Sequence, residues 1–183
     1  MNIWHDISDG RIRAEDFIAV IEVPKGSKKK YELDKETGMI RLDRVLYTST
    51  QFPSNYGMIP RTLSKDGDPL DVLVLCSEEL DPGVLVRCFP IGLIEMIDGG
   101  TCDEKIIAIP FKDPYFGDYT DVSELPKHAA QEIIHFLGIY KALEGGEIEV
   151  KPLKNRAEAV GVINDAKRNY SKRFDEEASL DGE

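Results

Sequence analysis

The sequence predicts a mainly β protein, a small and mostly antiparallel barrel flanked by helices. Several short apolar segments separated by turn residues come first, and helical periodicity begins only after Ser123. The chain has 183 residues, of which 42% are hydrophobic and 31% are charged, as in ordinary globular proteins. Because the pattern contains neither an internal repeat nor a linker, we expect a single domain over residues 1–183.

Three segments near the N-terminus have the β-branched or alternating pattern of strands: Phe17–Val23, Lys28–Leu33 and Met39–Asp43. Glu22 interrupts the first segment, which indicates either a sheet edge or a carboxylate aimed at a cation. Lys30 and Glu32 are two residues apart in the second, so they share one face of that strand. The polar and aromatic segment that follows, from Tyr47 to Tyr56, is predicted to be an irregular loop.

A tight acidic turn precedes the next predicted strand. Three carboxylates crowd it, at Asp66, Asp68 and Asp71, and an apolar strand runs on to Leu75. Crowded carboxylates stay ionised where a cation compensates them, and their oxygen atoms suit Mg²⁺. The alternative is a solvated surface turn, since Asp, Gly and Pro are common turn residues. An EF-hand calcium loop does not fit, because Ser77 stands where such a loop requires Glu.

A second acidic turn follows a long apolar segment. That segment, Val84–Ile97, contains Pro90 and Gly92, which indicate a bend or bulge. The turn Asp98–Lys105 then leads into the apolar strand Ile106–Ile109. Two acidic loops placed ahead of strands can face one metal cluster, although their separation in sequence does not establish that they meet.

Two segments near the C-terminus have helical spacing. The first helix is predicted from about Pro126 to Leu143. Its apolar positions are Ala130, Ile133, Ile134, Leu137 and Tyr140. The strand Ile148–Val150 separates it from a second predicted helix, Ala157–Tyr170. The polar and acidic end, residues 171–183, is predicted to be a frayed, flexible tail.

Charge and residue types argue against several functional classes. There are 23 basic and 34 acidic residues, a net charge of −11, which disfavours a general binder of nucleic acids or anionic membranes. No apolar stretch approaches the roughly 20 residues of a membrane span, and the N-terminus lacks a signal-peptide pattern, so we expect a cytoplasmic protein. Cys76, Cys88 and Cys102 form no Cys-x-x-Cys pair, and the histidines form no ligand pattern, so zinc catalysis is not indicated.

The acidic turn resembles the signature Asp-x-Asp-Pro-x-Asp-Val of the soluble family I inorganic pyrophosphatases, and the chain length resembles their bacterial type. Further matches follow in the family's order: Ile21-Glu22-Val23, Lys30-Tyr31-Glu32, Asp43-Arg44, Pro53-Ser54-Asn55-Tyr56-Gly57, Asp98 and Asp103 with Lys105, and Tyr140-Lys141. The resemblance implies an OB-like five-stranded β-barrel with two C-terminal helices. It also implies hydrolysis of pyrophosphate to two orthophosphates with several Mg²⁺ ions, for which Mn²⁺ or Zn²⁺ can substitute and which Ca²⁺ inhibits.

The resemblance also assigns roles to individual residues. Asp68 matches the general base that helps to deprotonate the attacking water. The implied metal ligands are Asp66, Asp71, Asp98 and Asp103, supported by Glu22 and Glu32. The implied phosphate-binding residues are Lys30, Arg44, Tyr56, Lys105, Tyr140 and Lys141. One position departs from the family, because Phe52 stands where the family usually has Tyr.

The resemblance extends to assembly. Bacterial members are commonly hexamers, and His135 matches a helix histidine at their subunit contacts, although a core histidine is the alternative from the sequence. We therefore expect a homo-oligomer, a hexamer, that acts on the small molecule pyrophosphate and binds neither nucleic acid nor membrane. Two other functions stay in competition: a non-catalytic OB-type oligonucleotide-binding module, and another metal-dependent phosphohydrolase that acts on nucleotides or polyphosphate.

Overall fold

Five strands close into a ring, and two helices follow near the C-terminal end. The computed structural model describes residues 2–175, and its elements are β1 (Ile12–Arg13), β2 (Asp16–Val23), β3 (Lys29–Leu33), β4 (Ile40–Val45), β5 (Asn55–Ile59), β6 (Leu70–Val74), β7 (Leu85–Asp98), β8 (Thr101–Pro110), α1 (Lys127–Ile139), β9 (Ile148–Val150), β10 (Lys154–Asn155) and α2 (Arg156–Tyr170). The ring order is β2–β5–β6–β8–β7, and β7 pairs with β2 to close it. The β6–β8 pair is parallel and the other ring pairs are antiparallel, so the predicted OB-like barrel is confirmed.

The segment predicted as an irregular loop contains a central strand. β5 begins at Asn55, is buried along its whole length, and pairs with both β2 and β6. Gly57 makes this possible, because a Cβ atom there would lie 1.9 Å from the carbonyl oxygen of Val20. The loop prediction is therefore wrong from Asn55 onward, because a polar and aromatic sequence here forms a buried strand that is paired on both sides.

The second acidic turn is much shorter than predicted. β7 continues to Asp98, Gly99 and Gly100 make the turn with φ angles of 55° and 88°, and β8 starts at Thr101. Asp103 and Lys105 therefore lie on a paired strand and not in a loop. Their positions are fixed by the sheet.

Alternate residues of the ring strands pack into two apolar clusters. On β6, Leu73 belongs to the cluster that includes Phe136 of α1. Its neighbour Val72 belongs to the cluster that includes Ile163 of α2. The strand is covered on both faces, which explains its continuous apolar sequence. Neither α1 nor α2 has the length and apolar character of a membrane-spanning helix.

The two ends of the described chain meet. A π-helical turn, Ser171–Asp175, continues from α2, and the ring of Phe174 packs edge-on against Trp4 with centroids 5.2 Å apart. The first part of the segment predicted as a frayed tail is thus helical, because its aromatic residue is packed. Residues 176–183, the rest of that predicted tail, lie outside the described residues.

Candidate active site

One cleft collects nearly all of the predicted site residues. Its volume is about 700 Å³, and it opens between the β3–β4 hairpin, the acidic turn and the polar ends of β5, β6 and β8. The predicted residues that line it are Glu22, Lys30, Glu32, Tyr56, Asp66, Asp68, Asp71, Asp98, Asp103, Lys105, Tyr140 and Lys141. The two acidic segments that the sequence left unconnected therefore face the same space.

The strand half of the cleft consists of Tyr56, Asp71, Asp103 and Lys105, on β5, β6 and β8. Asp71 and Lys105 are register partners in the parallel pair β6–β8. The Lys105 side chain is only 3% exposed, and its Nζ atom lies 2.5 Å from Asp71 and 2.8 Å from Asp103. Nζ also lies 3.2 Å from the Tyr56 hydroxyl, which donates to Asp71. A buried cation is thus held among two acids and a phenol.

Burial and neighbouring charges together raise the pKa values of three groups in the strand half: Lys105, Asp103 and Tyr56. Burial lowers the pKa of Lys105, but Asp71 and Asp103 outweigh it, so the net pKa is raised and the ammonium stays charged. Burial raises the pKa of Asp103, partly offset by Lys105. Burial and then Asp71 raise the pKa of Tyr56 well above its usual value, so Tyr56 remains a neutral hydrogen-bond donor.

The loop half of the cleft consists of Lys35, Asp66 and Asp68. Gly67 has a φ of 87°, which allows the tight turn in which the Asp68 amide donates to Asp66 at 3.0 Å. Across the cleft mouth, Lys35 from the hairpin turn pairs with Asp68, and the two side chains are 51% and 52% exposed. Water screens this pair, unlike the ion pairs of the strand half.

Glu22 connects the barrel to the hairpin. It is buried on β2, and its carboxylate accepts a hydrogen bond of 2.8 Å from the Leu33 amide on β3. Burial and then the charge of Asp71 raise the pKa of Glu22 to about 8. Of the two interpretations of Glu22, the structure supports a carboxylate directed into a charged site and not one at a solvent-exposed edge.

Ion pairs hold two further lysines of the cleft, Lys30 and Lys141. Lys30 pairs with Glu32 along β3, as their shared face predicts. Just beyond the end of α1, Lys141 pairs with Asp98 while the adjacent Tyr140 is buried.

Arg44 is the predicted site residue that does not line the cleft. It pairs with its neighbour Asp43, and its Nε atom lies 2.9 Å from Glu144. Two basic residues that sequence reasoning missed, Lys35 and Arg41, do line it. The signal for Arg41 was present, because the turn between β3 and β4 places it opposite Glu32 in the hairpin register.

The donor set fits a divalent cation in chemistry. Carboxylate oxygens are hard ligands of the kind that Mg²⁺ takes. In the described part of the chain, however, no three acidic, histidine or cysteine side chains come together as a ready metal-binding group. Lysines occupy the acids instead, as in the pairs Lys105–Asp103 and Lys141–Asp98. A carboxylate has two oxygens with several lone pairs, so each acid can keep its lysine partner and still offer an oxygen to a metal ion.

Phe52 and His135 differ in burial. Phe52 is buried, with its ring centroid 5.4 Å from Tyr56 and 4.8 Å from Phe136 of α1. His135 is exposed on α1, so its alternative interpretation as a core histidine is wrong.

Comparison with known proteins identifies the family. A family model described as inorganic pyrophosphatase matches residues 19–171. A soluble inorganic pyrophosphatase of Oryza sativa subsp. indica is 48% identical over 160 residues, which are 87% of this chain and 75% of the relative. The structure of the inorganic pyrophosphatase from Thermus thermophilus has a TM-score of 0.87 at 38% identity and covers 93% of this chain and 99% of that one. For the inorganic pyrophosphatase from Helicobacter pylori the TM-score is 0.84 at 40% identity, with 87% and 96% covered. With its closed barrel and its charged cleft, the chain belongs to the inorganic pyrophosphatase family.

Proposed function

We propose that the chain hydrolyses inorganic pyrophosphate to two orthophosphates by attack of an activated water. The observation that carries this proposal is the single cleft in which the carboxylates of two distant acidic segments face a set of lysines. Pyrophosphate is a small polyanion, so a site that hydrolyses it needs both cations for its oxygens and carboxylates for metal ions. The cleft contains both.

We propose several Mg²⁺ ions as the cofactor, with Mn²⁺ or Zn²⁺ as substitutes and Ca²⁺ as an inhibitor. Asp66, Asp71, Asp98 and Asp103 would hold the metal, and Glu22 and Glu32 would support them. When bound, the metal lowers the pKa of the attacking water and neutralises phosphoryl oxygens. Glu22 fits this role by position, because it lines the cleft together with these four acids.

The chain's own residues would divide the remaining work. Asp68, exposed at the cleft mouth beside the other acids, would accept the proton of the attacking water. The basic and phenolic residues would hold phosphate oxygens: Lys30, Arg44, Tyr56, Lys105, Tyr140 and Lys141. Of these, Arg44 must turn away from Asp43 and Glu144 to reach the cleft. Tyr56 and Lys105 already lie there as donors, which limits the reorganisation needed during reaction.

The competing functions fit the structure less well. An oligonucleotide-binding barrel presents a basic groove with exposed aromatic rings. Here the cleft is rich in carboxylates, and its tyrosines, Tyr56 and Tyr140, are buried. A phosphohydrolase that acts on larger substrates is separated from the proposal by a substrate panel.

Phosphate release from pyrophosphate, measured with added Mg²⁺ and with excess chelator, tests the proposal. We expect full activity with Mg²⁺, none in chelator, and inhibition by Ca²⁺, which takes more ligands at longer distances. ATP, tripolyphosphate and a fluorescent single strand serve as controls. Undiminished hydrolysis by metal-stripped protein, or faster hydrolysis of ATP than of pyrophosphate, would contradict it.

We also propose that the chain is a homohexamer in the cytoplasm. The resemblance at His135, which is exposed on α1, supports a subunit contact there, and the three free thiols suit a reducing compartment. Light scattering at micromolar concentration tests the assembly. A mass near 20.6 kDa, that of one chain, would reject it.

A further inference from the structure

The loop that carries the acidic turn leaves the barrel and returns to it at the same level. β5 ends at Ile59 and β6 begins at Leu70, and these two residues are register partners. Between them the chain extends to Asp66 and Asp68, which are exposed at the cleft mouth. An exposed loop tip is positioned only as well as its base is held. Whatever fixes the base is therefore needed to keep the two carboxylates in position.

Thr62 holds the base of this loop from inside. Its side chain is fully buried, at 0% exposure. Its hydroxyl donates to the Ile59 carbonyl at 2.5 Å and accepts from the Leu70 amide at 2.9 Å. The indole Nε1 of Trp4 donates a buried hydrogen bond of 2.9 Å to the Thr62 carbonyl. One residue thus connects the end of β5, the start of β6 and the N-terminal turn.

The neighbouring Arg61 shows that the base is held in a fixed conformation. Its φ is 53°, in the left-handed region that residues other than glycine rarely adopt. Its amide donates to the Trp4 carbonyl at 3.0 Å, and its guanidinium donates to the His5 carbonyl at 3.0 Å. Such a conformation persists where the surroundings over-determine it. The N-terminal turn that contains Trp4 and His5 therefore supports the base from outside.

We propose that Thr62 is a positioning residue for the acidic turn, whose hydroxyl fixes where Asp66, Asp68 and Asp71 lie in the cleft. Asp71 directly follows Leu70, so a shift of the Leu70 amide moves Asp71 as well as the loop tip. This inference rests on the proposed function, since the positions matter for pyrophosphate hydrolysis. A misplacement of about 1 Å can lower a rate by about 10²-fold.

Two variants separate the hydroxyl from the shape of the side chain. Thr62→Val keeps the volume and loses both hydroxyl bonds, whereas Thr62→Ser keeps the hydroxyl. For Thr62→Val we expect kcat to fall by about 10- to 100-fold, the Mg²⁺ affinity to fall, and KM for pyrophosphate to change little. In the metal-free protein, peptides covering residues 63–70 should take up deuterium faster. Thr62→Ser should restore all of these properties to nearly the parent values.

Ser54→Ala is the matched control. Ser54 is buried, and its hydroxyl has no hydrogen-bond partner within residues 2–175. Removing this hydroxyl should leave kcat, Mg²⁺ affinity by calorimetry and deuterium uptake unchanged. The control shows whether any effect at Thr62 comes from its two bonds and not from loss of a buried hydroxyl as such.

Three results decide the proposal. Thr62→Val with unchanged kcat, Mg²⁺ affinity and uptake over 63–70, whatever its melting temperature, overturns it. If Thr62→Val does not fold, Thr62→Ala removes the same hydroxyl without placing a second methyl group there, and unchanged kcat and unchanged uptake over 63–70 then overturn the proposal. If the parent protein does not hydrolyse pyrophosphate, the proposed function fails, but calorimetry with Mg²⁺ and deuterium uptake still decide whether Thr62 positions the turn.

Discussion

The strand half and the loop half of the cleft use the same chemistry in different surroundings. In the strand half, Lys105 and Asp71 are register partners on paired strands, and the lysine is almost completely buried. In the loop half, Lys35 and Asp68 meet across the cleft mouth, and each is about half exposed. A buried pair is costly to break, whereas a screened pair contributes little. A lysine–aspartate contact therefore indicates the role of its residues only when their burial and the backbone that holds them are known as well.

The largest expected effect separates an acid of the loop half from one of the strand half. Asp68→Asn should lower kcat by roughly 10²- to 10⁴-fold, the range for a positioned general base, and largely keep the Mg²⁺ affinity. Asp71→Asn should lose Mg²⁺ affinity as well, because that carboxylate lies at the centre of the buried charges. Steady-state kinetics and calorimetry measure the two properties. If instead Asp68→Asn lost Mg²⁺ affinity and Asp71→Asn kept it, the roles of general base and metal ligand would have to be exchanged between the two residues.

The next effect compares the two lysines directly. Lys105→Met should lower kcat by about 10²- to 10³-fold, as for loss of one preorganised donor. It should also destabilise the metal-free protein by about 2–3 kcal/mol, because two acids lose their buried cation. Asp71 and Asp103 are 26% and 22% exposed, so the loss stays below that of a fully buried pair. Urea unfolding in chelator measures it, and added Mg²⁺ should reduce the difference.

Lys35→Met is the matched control for Lys105→Met. Since both partners of its ion pair are exposed, the free energy of unfolding should change by less than about 1 kcal/mol. A kcat change as large as that of Lys105→Met would show that the exposed lysine touches the substrate. The distinction between the two halves would then fail.

The strand half was harder to predict from the sequence than the loop half. The acidic turn declares itself locally, because Asp66, Asp68 and Asp71 crowd a Gly and Pro turn. Lys105 and Asp103 are separated from it in the chain and meet it only through the parallel pairing of β6 with β8. The hydrophobic periodicity of the sequence does not predict which strands pair. Only the family resemblance placed those residues in the same site.

Local sequence signals also gave the wrong element type where two strands approach each other unusually closely. β5 looks like a loop because Gly57 and Asn55 are turn formers, yet Gly57 is required by contact with Val20. The overall barrel and both helices were nevertheless predicted from apolar patterns. The sequence contains no signal that the Arg44 side chain points away from the cleft, since its partner Glu144 lies far along the chain. Long-range contacts, unlike element types, cannot be derived from short segments.

Substitutions of Phe52 measure how far activity depends on the aromatic packing beside the strand half. The ring contacts Tyr56 and Phe136, so Phe52→Ala should destabilise the fold by about 3–5 kcal/mol and lower kcat/KM by more than Phe52→Tyr does. Phe52→Tyr adds one neutral hydroxyl, worth about 0.5–1.5 kcal/mol, so kcat/KM should change by less than about tenfold. Both variants are compared with the parent at saturating Mg²⁺. A gain well above tenfold would show that the hydroxyl acts in the chemical step.

The smallest effect on activity is expected at Asp113, an acid that belongs to neither half. Its carboxylate accepts from the amides of Ser77, Tyr115 and Phe116 at 2.7, 2.8 and 3.0 Å. Burial alone would raise the pKa of Asp113, but these three donors lower it to about 2. The folded state therefore favours the ionised form, and its stabilisation is present above the unfolded-state pKa of about 3.9.

Asp113→Asn should accordingly change stability and not catalysis. At pH 7 we expect a loss of roughly 1–2 kcal/mol in the free energy of unfolding, with kcat nearly unchanged. Because the parent loses this stabilisation as the pH falls from about 4 towards 2, the two proteins should become similarly stable in acid. Circular dichroism during acid and urea titrations measures the difference. If Asp113→Asn instead lowered kcat as strongly as Asp68→Asn, an acid outside the cleft would control the reaction, and burial with backbone hydrogen bonds would no longer separate structural carboxylates from functional ones.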